Sequence, residues 1–580
     1  MFSAENIMRI LLTIVFCLLL VVNFSQSTAP TFAESSQSQQ GVNRFEGYNI
    51  FLDALETQNP QGSSCATRYV PPATQITITD LNPATPMRLG SCSGAPAVRS
   101  VSATTATVNA DENNYKWCFT GEDKMYQISF QGDRFAGKIT YNWIPNPDPL
   151  TAGFYNVRDF GAKGDGQTDD TIAIRSALAF IAARGGGGVL RFPEGDYSVG
   201  KVPNYKGITL PPGVTIEGVG SILSGAAINN VIQRSPSRIS LARGVREAAL
   251  FRIGECVERV AIRDIELFAY GQDKTYGIEA LGTTLTSQDF FIDRVTFNQF
   301  YRGFYAHALM VSGQLSHWQF DFIKVRDSRF LYNTDAGIWV DIWNTDWKID
   351  GSFFQVPAKT VTNRADGIYL YRAGMVSITE AFAGVPGGTG QGAGGKGGDF
   401  LHIIENGNLT IIGSETEGMS RSLVFGELQG AGNLSYPITL INNIFGEGIE
   451  IKGRRMLVST GNLYSAGSVR LSNDAEVYST GDRFCYDGYI LGCQGAGNQT
   501  NFIGGKIMFA TGQPTNQTVP GRPMVLGSEV QMPTFRSTEL PRNSNNGTML
   551  FCADCRRSTQ CTGGGQGAPA MFINGRWECL

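Results

Sequence analysis

Between residue 214 and about residue 510 the apolar positions fall into one short recurring pattern: a small residue, an apolar one, a variable one and another apolar one. It reads Gly277-Ile-Glu-Ala, Gly303-Phe-Tyr-Ala, Gly337-Ile-Trp-Val, Gly367-Ile-Tyr-Leu and Ser422-Leu-Val-Phe, then Gly448-Ile-Glu-Ile, Ser468-Val-Arg-Leu and Gly488-Tyr-Ile-Leu. A second pattern precedes most copies (IRDIEL, IDRVTF, VRDSRF, IDGSFF, INNIFG), in which a strand meets an Asp, Asn or Gly and then an apolar residue. Alternation with period two predicts strands, and the turn residues end each one early. Strands returning every ~20–35 residues, each with too little apolar surface to fold alone, predict coils stacked into one array. The interval between 367 and 422 holds a glycine-rich insertion and one extra coil.

Upstream the period changes. In FGAKGDGQTDDTIAIRSAL (160–178) a glycine-and-aspartate loop runs into Ile172, Ile174, Ala177 and Leu178 at helical spacing, with Thr168, Asp169 or Asp170 as candidate caps. ARGGGG stops that helix, and VLRFPEGDYSV reads as strand, turn and strand. Earlier still, TQITITDL, SVSATTATV, YKWCFTG, MYQISFQG and GKITYNWI are short alternating strands, the pattern of a small β-sandwich over 34–150. PNPDPLTAG then reads as a linker.

The segment FGAKGDGQTDDTIAIRSAL followed by GGGGVLRFPEGDYSV resembles the start of the pectate lyase superfamily, which includes polygalacturonase-like enzymes and phage tailspikes. The resemblance implies an all-β chain built as a right-handed parallel β-helix, with the helix of this segment closing the first coil. The expected order is a signal peptide (1–33), the β-sandwich module (34–150), the β-helix (151–515) and a Cys-rich segment (516–580). The superfamily holds hydrolases, lyases and non-catalytic binders, so the fold does not choose the reaction.

Composition narrows the partners. Net charge is −4 with no basic run, which argues against nucleic acid, and 70 glycines among 580 residues suit many turns. Arg9 precedes an apolar run from Ile10 to Val22, with small residues near Ala29–Ala33, the make-up of a secretory signal. A secreted or cell-surface protein follows, touching a membrane only if that segment stays uncleaved. Beyond Cys17 in that run, the remaining ten of 11 cysteines are expected to pair as disulfides. The last four, Cys552-x-x-Cys555 with Cys561 and Cys579, also admit a zinc reading, against which stand their irregular spacing and an oxidising compartment.

Strand side chains alternate, so the variable position of each copy faces out: Glu279, Tyr305, Trp339, Tyr369, Val424, Glu450, Arg470 and Ile490. Tyr305, Trp339 and Tyr369 then form an exposed aromatic strip. Two residues on, the same face carries His307, Asp341 and Tyr371, with Arg372 at the neighbouring turn. Aromatic rows stabilise sheets by stacking, but one flanked by His, Asp and Arg also suits sugars, whose apolar faces pack on rings while hydroxyls seek polar groups. Tyr305, Trp339, Tyr369 and Tyr371 are therefore assigned to polysaccharide binding.

For chemistry, glycoside hydrolysis needs two carboxyls about 5–9.5 Å apart. Asp341 is best placed. Asp335 lies six residues before it, about 20 Å along an extended strand, so the second acid is sought at a turn, in Asp346 or Asp366. YNTDAG and WNTDWK echo the Asn-Thr-Asp of polygalacturonases at Asp335 and Asp346, but the adjacent Asp pair and Gly-His-Gly of that family find no match. A lyase would take Arg372 or His307 as base, with Ca²⁺ or an arginine neutralising a uronate. His317 and His402, flanked by apolar residues, read as structural. Gly390-x-x-x-x-Gly395-Lys396 mimics a phosphate loop but has Gly397 where Ser or Thr would hold Mg²⁺, and reads as a loop over the strip. The function expected is a secreted polysaccharide-active protein that cleaves its glycan as a glycoside hydrolase or lyase. A non-catalytic glycan-binding or surface-attachment protein is the alternative.

Overall fold

The computed structural model describes residues 43–580 outside 52–66, 222–234, 386–395, 427–435, 485–500, 519–533, 541–548 and several shorter stretches. The signal segment, residues 390–395 of the phosphate-loop mimic, His317, the copy at 488, Cys65, Cys485 and Cys493 lie outside the described residues.

Three parallel ladders run the length of the array, so the repeat is a parallel β-helix. One coil shows the plan: Arg302–Ala308 on the first face, Gln319–Arg326 on the second and Arg329–Leu331 on the third. The next coil repeats it with Ala336–Thr345, Trp347–Asp350 and Phe353–Gln355. The second sequence pattern is the corner between the last two faces. There the backbone takes positive φ at Asp264, Arg294, Asp327, Gly351, Glu380, Gly413, Asn442 and Gly461, which is why Asp, Asn and Gly recur. Just inside that corner a polar ladder climbs the coils: Ser328 accepts from the Val295 N–H (3.2 Å), and Asn443 and Asn462 accept from the N–H groups of Ser414 and Asn443 (2.9 Å each). Buried corner amides are satisfied in this way.

The interior explains the small residue of the first pattern. Phe297, Phe330 and Phe354 stack at 4.7 and 4.8 Å between centroids, within 3° of parallel. A Cβ on Gly277, Gly303 or Gly337 would lie 2.7–2.9 Å from one of these rings. The glycines make room for the phenylalanines. On the following coil the ladder position is Ala383, and Phe400 takes the first-face position that glycine holds elsewhere, 6.0 Å from Phe354. One bulky ring has moved from the third face to the first.

The helix is Thr171–Ala183, with a buried apolar face that covers the start of the coil. Asp170 stands at the cap position, yet its carboxylate accepts from the Lys163 and Gly164 N–H groups (2.7 and 3.1 Å), so it folds the preceding loop. Asp169 accepts from the Thr171 N–H instead (3.2 Å). Asp165–Asp169, expected as loop, is the first strand of the third ladder, paired with Gly195–Val199.

The upstream module is a β-sandwich: a five-stranded antiparallel sheet beside a three-stranded one. Its core holds Phe45, Ile76, Ile78, Trp117, Phe119, Tyr126 and Phe130, and Cys92–Cys118 ties it. It does not stand apart from the β-helix. Trp143 packs on Phe180 of the helix (4.9 Å) and the Asn142 N–H donates to Ser176 Oγ (2.9 Å), so one hydrophobic core runs through both. The C-terminal segment forms a four-stranded sheet with Cys552–Cys555 and Cys561–Cys579 disulfides. Among the described residues no helix is long and apolar enough to cross a membrane.

Candidate functional site

The register of the first face bears out the outward column and fills its gap. Glu279, Tyr305, Trp339, Tyr369, His402, Val424, Glu450 and Arg470 stand in line on successive strands. The extra coil is Asp399–Asn406, and it puts His402, read from the sequence as structural, into the strip. Because Phe400 replaces the marker glycine, the repeat pattern hides this copy.

Trp339 faces outward as its parity requires, but it is not exposed: only 8% of it meets solvent. Its ring stacks on Tyr369 at 3.9 Å and 15°, with the Arg302 guanidinium 4.0 Å and the Arg364 guanidinium 4.9 Å from its centroid. Arg302 also lies 4.3 Å from the Tyr305 ring, and Arg364 4.9 Å from Tyr369. The strip thus combines ring-on-ring stacking of Trp339 and Tyr369 with guanidinium groups set against each of its rings by cation–π attraction. Each arginine is anchored from below: Arg302 to buried Asp335 and Arg364 to buried Asp366, both at 2.7 Å.

Asp341 sits at a bulge. Val340 pairs with Leu370 and Trp343 with Arg372, so Asp341 and Ile342 together oppose the single residue Tyr371. Bulges re-aim side chains and are frequent beside active sites. The Asp341 side chain keeps 38% of its surface and lies 4.0 Å from Arg302. Burial of its surroundings raises its carboxyl above the ordinary range, while Arg302 and His307 pull it back. Every other described carboxylate of this face is held closely: Glu279 by Arg252 and His307 (2.7 and 3.0 Å), Asp399 by Arg421 and His402 (2.8 and 3.1 Å), and Glu450 by Arg421.

His307 stacks on Tyr305 at 4.3 Å, and Glu279 Oε1 lies 3.0 Å from its Nε2, an arrangement that fixes the ring and leaves Nδ1 for other partners. Burial works against the Glu279 charge, yet His307 and Arg252 hold its carboxyl below the usual value. Burial pushes the Tyr305 hydroxyl up to about 12, so it stays protonated. His307, Asp341, Tyr305, Trp339 and Tyr369 are therefore brought together, as expected.

Others are not. Asp346 has positive φ at the corner after Thr345, whose Oγ1 donates to it (2.7 Å). Asp366 is a strand residue, 1% exposed, spent on Arg364 and the Asp399 N–H. Asp366 is therefore not a free second acid, and Asp346 stands at the corner between the first and second faces. Arg372 lies within the strand Asp366–Ala373, not at a turn, with its guanidinium 5.3 Å from the Tyr371 ring. Asp335 corrects the 20 Å argument: it precedes the strand, and Arg302 touches both it and Asp341. Proximity does not make it available, since it is buried under that arginine. Ca²⁺ asks for six to eight oxygen ligands. Among the described residues the carboxylates of this face are dispersed over separate arginines and histidines, a donor set that does not fit Ca²⁺.

Residues 154–237 match the family described as rhamnogalacturonase A/epimerase, pectate lyase-like. The chain carries a pectate lyase-like parallel β-helix, entered through the Thr171–Ala183 cap. Alginate lyase 7 of Azotobacter vinelandii is 58% identical over 45 residues, 8% of this chain and 5% of that protein. Mannuronan C5-epimerase AlgE4 of the same organism is 34% identical over 125 residues, 21% of each. The chain spans between 5% and 21% of the length of these curated relatives. Among solved structures, the A-module of A. vinelandii mannuronan C-5 epimerase AlgE6 aligns over 62% of this chain and 100% of its own, at 17% identity and a TM-score of 0.30. The Agl-KA catalytic domain aligns over 82% and 88%, at 9% identity and a TM-score of 0.36.

Proposed function

We propose that the protein is exported and acts on a polysaccharide along the first face of its β-helix, cleaving it by proton transfer at a uronate residue, as a lyase does. The observation that carries this is Asp341: a carboxyl raised by burial, standing at a bulge and loosely paired, above a row of rings and guanidinium groups. A hydrolase would need a second available carboxyl, and the other described carboxylates of this face are engaged by arginine or histidine. Elimination needs less: a base to take the proton beside the carboxylate, a positive group to neutralise that carboxylate, and an acid for the leaving oxygen. His307, oriented by Glu279, serves as base; Arg302 neutralises; Asp341, whose raised carboxyl retains a proton to higher pH, serves as acid. The matched stretches of an alginate lyase and of mannuronan epimerases support a polyuronate as substrate, since lyase and epimerase both begin by removing that proton.

The test is a panel of polyuronates and neutral glycans. Ultraviolet absorbance of unsaturated uronates should appear with a polyuronate. Reducing ends without that absorbance would mean a hydrolase, C5 inversion without chain scission an epimerase, and retention without turnover a binding protein. Each of these three outcomes overturns the lyase reading.

A further inference from the structure

The C-terminal sheet comprises Thr534–Phe535, Met549–Cys552, Ala568–Ile573 and Arg576–Cys579 and has its own small core, with Leu550, Ala568, Ala570, Phe572 and Trp577 packed around cysteines. Cys552 pairs with Ala568 on the central strand, and Cys579 pairs with Ala570 from the other side. Residues two apart in a strand point the same way, so two buried alanines leave a space into which both cysteines reach. The sulfurs of Cys552, Cys555 and Cys579 lie within 4.8 Å of one another, and Cys561 is bonded to Cys579. Three sulfurs therefore meet at one point, with the fourth, on Cys561, bonded to Cys579 at its side. A glycine turn closes over them: a Cβ on Gly565 would fall 2.1 Å from the Cys555 carbonyl oxygen.

We propose that Cys552, Cys555, Cys561 and Cys579 form a tetrahedral Zn²⁺ site, and that the two disulfides are the oxidised form of the same cluster. Zn–S bonds of about 2.3 Å put the sulfurs of a tetrahedral site about 3.8 Å apart, so once the disulfides open each bonded pair spreads to that spacing while Cys579 closes on Cys552 and Cys555 by up to about 1 Å. Two disulfides that merely staple strands have no need to bring a third sulfur beside a bonded pair; metal ligands do. The Cys552-x-x-Cys555 spacing is that of a zinc hairpin. Four thiolates around Zn²⁺ leave two negative charges. Arg556, next to Cys555 and hydrogen-bonded to the Gly564 carbonyl (2.8 Å), brings a positive one. Asp554 opposes it, 3.5 Å from Cys552 Sγ, but its carboxylate is occupied by the Ser537 N–H (2.6 Å) and hydroxyl (3.1 Å). A core this small needs a staple, and metal or disulfide each supply one.

The two forms interconvert with balanced chemistry. Two equivalents of a dithiol, such as dithiothreitol, deliver four electrons and four protons, open both disulfides to four thiols and leave as cyclic disulfides. Zn²⁺ then displaces the four thiol protons.

The full chain, reduced under argon, supplied with Zn²⁺ and desalted, should retain one zinc per chain. Cysteine alkylation followed by peptide mapping should find Cys552, Cys555, Cys561 and Cys579 protected, and a chelator should expose them. Co²⁺ in place of Zn²⁺ should give the sulfur-to-metal charge-transfer bands of a tetrathiolate site. Zinc retained on other cysteines, or these four alkylated as fast with Zn²⁺ as without, overturns the proposal. Cys561→Ser should lower the number of coordinating thiolates seen with Co²⁺, and an unchanged spectrum also overturns it. Activity toward glycans enters none of these readouts, so the proposal and the lyase reading fail separately.

Discussion

Replacing Trp339 by alanine should destabilise the β-helix by about 3 kcal/mol, even though the residue points away from the interior. An outward residue at an open position would change stability by no more than about 0.5 kcal/mol. Trp339 is 92% covered, by Tyr369 on one coil and by Arg302 and Arg364. A Trp buries up to roughly 250 Å², which at about 25 cal/mol/Å² sets an upper value near 6 kcal/mol. The cover is made of long side chains that settle into the vacancy, so roughly half of that is lost. Trp339→Phe keeps a stacking partner for Tyr369 and should cost about 1 kcal/mol. Urea unfolding of the purified chain, with amide exchange read on Arg302–Ala308, Ala336–Thr345 and Asp366–Ala373, tests both. Exchange matters because a stacked array can open coil by coil. A loss under about 0.5 kcal/mol for Trp339→Ala would refute the arginine-covered strip and restore a solvent-facing ring.

If the lyase reading holds, Asp341→Asn should lower turnover by about 10²-fold or more while glycan retention on affinity gels stays near the parent value. Turnover within a few-fold would remove Asp341 from the mechanism. Glu447, pushed by burial from 4.5 up to about 7, contributes stability that is full below pH 4.5 and lost as pH rises through 7, so Glu447→Gln should flatten that part of a melting-temperature profile. An unchanged slope would refute the assignment. Phe400→Gly should cost about 3–5 kcal/mol and Ala383→Phe about 1–3 by overpacking, yet the double variant should be less destabilised than the sum of the two, because the ring returns to the ladder used by Phe354. Additive losses would show that the two positions do not share one space.

Much of the architecture was legible in one dimension because period-two alternation and a recurrent turn residue are local properties. Gly303, Gly337 and Gly367 mark the first face, and Asp264, Asp327 and Asn442 mark the corner, since positive φ and a crowded Cβ position restrict residue choice wherever they occur. Parity followed from alternation alone, so Tyr305, Trp339 and Tyr369 were correctly aligned without coordinates. The missing copy was lost for a reason of volume. Phe400 occupies a glycine position only because Ala383, 17 residues away in sequence, is small.

The sequence by itself determined that this chain stacks short strands into coils, that a helix closes their start, and which side chains share one outward column. Those follow from steric rules acting within a few residues of each position. Tertiary structure alone decided who covers whom. Arg302 and Arg364 lie far from each other in the chain, yet both reach over Trp339, and the buried Asp335 and Asp366 beneath hold them there. The bulge at which Asp341 stands arises from a register between neighbouring coils. Burial, ion pairing and register depend on residues one coil above or below, and their distance along the sequence carries no trace of that contact.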